Sequence, residues 1–158
     1  MTDASFKDGR EAPLNLGAED ADDLRVIATL TQDAVFPVTE MTWQPGQRRF
    51  ALLLNRFRWE DKDAAARRGR AYERVQAVLM FGSVLSVASQ GIDRSDKDMI
   101  LSLLSVEFEP SEDGAGQILL TLAGDGAIRL SVEAIDATLK DVTRPYKAPS
   151  GQAPHHPE

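Results

Sequence analysis

YERVQAVLMFGSVLSVASQGI, residues 72–92, is the longest nearly uncharged apolar stretch of the chain, and it repeats with a period of two. Val75, Ala77, Leu79, Phe81, Leu85 and Val87 hold one parity, whereas Arg74, Gln76, Ser86 and Gln90 hold the other. Alternation of that kind marks a β-strand, not a helix. At about 3.3 Å per residue, roughly sixteen extended residues would span about 50 Å, far beyond the usual strand of about five or six residues. The strand must therefore bend, and Gly82, which lacks a Cβ, is the expected place.

Working outward, residues 38–43 and 48–59 read as two strands joined by Gln44-Pro45-Gly46-Gln47, where Pro followed by Gly suits a type II turn. In the second of these, Phe50, Leu52 and Leu54 share one parity and Phe57 and Trp59 the other. Either the strand is covered on both sides or a bulge near Asn55 shifts its register. The segment EDKDAAARRGRA, residues 60–71, is charged and small, which predicts a mobile loop. Beyond the central stretch, residues 99–109 place Leu104, Val106 and Phe108 on one face, and residues 117–123 and 127–132 form a hairpin around Gly124-Asp125-Gly126. Leu14 and Leu16 suit a short first strand. A helix is expected over 17–33, with an acidic first turn and a stripe of Ala21, Leu24, Ile27, Ala28 and Thr31. A second is expected over 133–142, from the spacing of Ile135, Leu139 and Val142 before Pro145. The sum is an α+β domain: an N-terminal helix, about six antiparallel strands in a curled sheet, and a C-terminal helix, the order of pleckstrin-homology-like barrels.

The chain of 158 residues has the size of one domain. Residues 1–12 read as a disordered leader, 13–147 as the folded domain and 148–158 as a disordered tail. No run approaches the roughly twenty apolar residues that would span a bilayer, and the polar N-terminus lacks the apolar core of a secretory signal. Membrane insertion is not expected, and the cytoplasm is the expected compartment. The absence of cysteine excludes disulfides, thiol nucleophiles and thiolate metal sites. Charge is uneven: residues 40–75 hold nine of the eighteen Lys and Arg against five acids, a +4 segment within a chain of net charge -7.

Gln32-Asp33-Ala34-Val35, the run from Arg49 through Phe50-Ala51-Leu52-Leu53-Leu54-Asn55-Arg56-Phe57-Arg58 to Trp59, and Gly91-Ile92-Asp93 resemble a family of short bacterial proteins catalogued as a domain of unknown function. The resemblance runs over about residues 14–142. It implies one small cytoplasmic domain and brings no catalytic residue, cofactor, ligand or partner with it.

His155 and His156 stand in a Pro-rich tail, where nothing would hold them in catalytic geometry. Asp93, Asp96 and Asp98 form the densest carboxylate group, but they lack the alternate acids and following Gly of a calcium loop, and Arg94 and Lys97 neutralise them locally. No metal site and no cofactor are expected. Arg48, Arg49, Arg56 and Arg58, with Trp43, Phe57 and Trp59 nearby, could grip an anion, although a period of two puts the aromatics opposite Arg56 and Arg58. Three functions follow. The first is a non-enzymatic binding or adaptor module acting through a protein partner or its own homodimer, by a strand edge near 38–43 or 99–109 or by the Arg48 to Arg58 strip. The second is a small-molecule-binding barrel or small enzyme using Asp33, Asp93 and Arg residues around a cavity. The third, binding of RNA or another polyanion through the basic strip, is disfavoured because acids and small residues interrupt the strip.

Overall fold

The computed structural model describes residues 13–149 and 153–154. The expected leader, His155 and His156 lie outside the described residues.

The stretch 72–92 divides as its length requires. β5 (Glu73–Phe81) and β6 (Val84–Gln90) meet at a bend over Gly82 and Ser83. A second chain passage bends beside it, where β9 (Ala127–Val132) leads into β10 (Ala137–Asp141). The two bends bind each other: the Gly82 amide donates to the Asp136 carbonyl (2.7 Å), and the Glu133 amide donates to the Ser83 carbonyl (3.0 Å). The left-handed residue is Ser83 (φ 56°), not Gly82.

The pairing β5·β10 lies before the bend and β6·β9 beyond it. β4 (Arg49–Phe57) pairs with β5, and its other side takes β3 (Met41–Gln44) and a contact with β2 (Val35–Pro37). β7 (Ile100–Pro110) continues from β2, and β8 (Gly116–Leu122) joins β7 to β9. β1 (Asn15–Ala18) covers β10, and β11 (Tyr146–Lys147) adds to β5. The sheet order is therefore β1-β10-β5-β4-β2-β7-β8-β9-β6, antiparallel throughout, with β3 and β11 as branches.

The inward parity of each strand supplies one core: Phe50, Leu52 and Leu54 from β4, Ala77, Leu79 and Phe81 from β5, and Ile118, Leu120, Ile128 and Leu130 from the β8–β9 hairpin. α1 (Ala21–Leu30) packs against β7, β1 and β10. Asp20 caps it by accepting from the Asp23 amide (2.8 Å), and Leu24 and Ile27 are buried. Burial of two such side chains contributes about 1.5–3 kcal/mol each.

The expected α+β domain of about six strands between two terminal helices is overturned: the described residues form an eleven-stranded antiparallel sheet with two short helices. Residues 133–142 contain β10, not a helix, and the pleckstrin-homology-like order loses the C-terminal helix on which it rested. Ile135 lies in the turn and Val142 is 48% exposed, so the helical spacing joined residues that share no face. The alternating inward set is Ala137, Leu139 and Asp141, and its polar third member hid the strand. The expected loop 60–71 contains α2 (Lys62–Arg68), closed by Gly69 in the left-handed region (φ 64°), with Ala65 its buried residue. In β7 a register shift between Leu103 and Ser105 moves Leu101 and Leu103 onto the buried face ahead of Val106. The turn after β3 is a 3-10 turn (Pro45–Gln47) ending in a left-handed Arg48 (φ 53°), rather than type II.

Candidate interaction surface

β4 carries two of the candidate arginines, Arg49 and Arg56, and is flanked by the other two, Arg48 and Arg58; its course separates them. Arg48 and Arg49 stand at its start, where Arg48 is ion-paired with Glu133 and Arg49 is exposed. At its other end the inward parity of Phe50, Leu52 and Leu54 continues without a bulge to Arg56, which has no solvent exposure. Phe57 is buried on the opposite face against Trp59 (4.8 Å, edge-on) and Tyr72 (5.8 Å). The strand is thus covered on both sides at this end.

Arg56 reaches two carboxylates at once. Its Nε and Nη2 donate to Asp141 (3.0 Å each), and its Nη1 and Nη2 donate to Glu60 (2.9 and 2.8 Å). Burial alone would lower the Arg56 pKa, but these bonds and charges hold it above the ordinary value. Burial would likewise raise the pKa of Glu60, and the bond and charge of Arg56 instead draw it below the usual carboxylate range. Arg58 joins Glu73 and Asp61, and Arg70 donates to both oxygens of Asp61 (3.0 and 2.9 Å). Asp141 also accepts from the Leu14 amide (3.0 Å), tying β1 to β10. This cluster joins elements, its charges bonding one another across β4, β5, β10 and the segment that carries α2.

Arg74 makes a separate polar contact. Its Nε donates to Asn55 Oδ1 (2.7 Å), Asn55 bonds Tyr146, and burial depresses its pKa against the opposing pull of Tyr146 and Asp33. Asp93 lies in the exposed connection between β6 and β7. Its carboxylate accepts from the Ser95 amide (3.0 Å) and hydroxyl (2.5 Å), which lowers its pKa. The structure therefore does not assemble Arg56, Arg58 and Asp93 into one site, and Asp33 sits with Arg74 rather than with Asp93. Among the described residues there is no group of three or more His, Cys, Asp or Glu able to hold a metal ion, and no helix is long and apolar enough to cross a membrane.

What the sheet leaves open is backbone. The order ends on β1 and β6, and β3 and β11 branch from it. β1 and β3 have four residues, β11 has two, and β6 has seven. β6 pairs with β9 on one side, and no described strand pairs with the other. Of the edges expected from sequence, 38–43 overlaps the open strand β3, whereas 99–109 is β7, which has β2 on one side over 100–102 and β8 on the other. Sequence reasoning missed β6 because an edge is a property of strand order. Its one local signal was that residues 84–90 contain no charge.

These features define a small antiparallel β domain whose polar interior is structural and whose open strand edges face outward. The chain belongs to the family described as Protein of unknown function (DUF2948), whose model matches residues 14–156. No curated protein and no solved structure matches it.

Proposed function

We propose that this protein is an interaction module that works by strand addition, the open side of β6 pairing with β6 of a second copy. The carrying observation is the edge itself. Folded sheets ordinarily guard their edges with Lys, Pro, bulges, short strands or a covering segment. From Val84 to Gln90 there is no charge and no Pro, and the single irregularity lies at Val84/Ser86, leaving 86–90 regular. Five of the seven residues are exposed, including Leu85 at 50%.

A second copy suits this edge. Antiparallel self-pairing about a two-fold axis sets each residue against another from the same neutral run, so no like charges meet across the ladder although the chain carries -7 overall. Engagement of the basic segment also supports a protein contact over a polyanion. Arg48, Arg56, Arg58 and Arg70 are spent in ion pairs, and Arg74 is held by Asn55.

Sedimentation velocity over a concentration series tests the proposal. The full chain is expected to dimerise reversibly to twice 17.3 kDa, and the variant Ser86→Lys/Gln90→Lys, altered only at exposed positions, is expected to dimerise at least about tenfold more weakly. A wild-type monomer at every attainable concentration, or a dimer indifferent to both lysines, sinks it.

A further inference from the structure

We infer a second docking site, in the groove beside β3, for an extended acidic segment of another protein. It does not rest on the pairing of β6. β3 is bonded to β4 on one side only, so among the described strands its other edge is open. Met41 and Trp43 share one parity and are half-buried, whereas Thr42 and Gln44 are exposed. A cavity of about 180 Å3 lies against Met41 and Trp43, with buried Val38 and Phe50 also in its lining and Arg94 and Lys97 from the β6–β7 connection completing it.

Size decides what kind of ligand this is. Small-molecule sites run to about 300–1,000 Å3. A cavity of about 180 Å3 instead accepts one anchoring apolar side chain. The open strand beside it supplies the rest of such a contact, because an added strand bonds its backbone to the edge and turns alternate side chains to one face.

Charge decides its composition. Arg94 and Lys97 are exposed, and neither makes an ion pair among the described residues. The three acids of the same connection, Asp93, Asp96 and Asp98, keep their charge, but none of them is among the residues that line the cavity, whose charged lining is Arg94 and Lys97. Two cations left over an apolar floor complement carboxylates that flank an apolar anchor. Another depression, about 270 Å3 between α1 and β7, offers no such preference, since its lining includes Arg25, which bonds Asp22, and Glu107.

Fluorescence anisotropy with the full-length chain tests this, using a short labelled peptide of alternating Asp and Leu with a central Phe, and the same peptide with Lys for every Asp. The acidic peptide is expected to bind, more weakly as salt rises, and the basic one is not. Arg94→Glu/Lys97→Glu, which breaks no ion pair found among the described residues, is expected to weaken binding at least about tenfold. N-methylation of alternate peptide amides is expected to do the same, whereas Ser86→Lys/Gln90→Lys is expected to leave it unchanged. Absence of binding, equal binding of both peptides, or affinity untouched by charge reversal overturns the proposal. Binding that appears only after deletion of residues 1–12 makes that segment of the chain the occupant and also overturns it.

Discussion

Arg56 is the residue on which the polar interior turns. It is fully buried, yet each of its two carboxylate partners meets it through a pair of hydrogen bonds, so its desolvation is offset only while both partners are in place. Arg56→Met is expected to cost about 3–5 kcal/mol, because Asp141 and Glu60 would be left together without a counter-charge. Arg56→Lys, which keeps the charge but not the planar fork, is expected to fall between the wild type and Arg56→Met. Urea unfolding measures both, and a neutral Arg56→Met would contradict a structural role for the cluster. Little of this was legible in the sequence. The strip of arginines around β4 reads as one exposed surface, and the partner that draws Arg56 inward lies 85 residues further on.

Elements were legible where their signal was local. The hairpins β3–β4 and β8–β9 and the bend near Gly82 follow from alternation and turn residues close in the chain. β10 and α2 do not: β10 faces inward partly through Asp141, and α2 buries Ala65 alone. The bends themselves rest on different glycines to different degrees. A Cβ on Gly82 would press on the outer oxygen of Asp136, an exposed side chain that can turn away, whereas one on Gly116 would meet the Glu109 carbonyl and lie 2.8 Å from the Phe108 ring. Gly116→Ala is therefore expected to cost about 1–3 kcal/mol by overpacking. Gly82→Ala is expected to cost less, and thermal unfolding of the pair checks the order; equal losses would contradict the geometry.

For the whole molecule, the decisive fact is strand order. The stretch 72–92 reads as one element, yet its halves serve different neighbours, β5 lying between β10 and β4 while β6 leaves β4 behind and ends the sheet on β9. Period-two patterning reports which face of a strand is buried and is silent on which edge is open, so a neutral edge looks in sequence like any central strand. The charge map has the same limit: it shows a basic segment in an acidic chain, but only the fold shows that much of it is neutralised internally while Arg94 and Lys97 form no ion pair among the described residues. Open edges and a neutralised interior are the two features that support the proposal of a domain acting by contact.

Hydrogen exchange of the backbone amides, followed at low and high protein concentration, tests that description most directly. If β6 pairs with a second copy, amides within residues 86–90 whose N–H groups face the open side become slower to exchange as concentration rises, while those of β8, bonded on both sides in the monomer, do not change. Exchange in 86–90 that is fast and independent of concentration would contradict strand addition as the way this protein works.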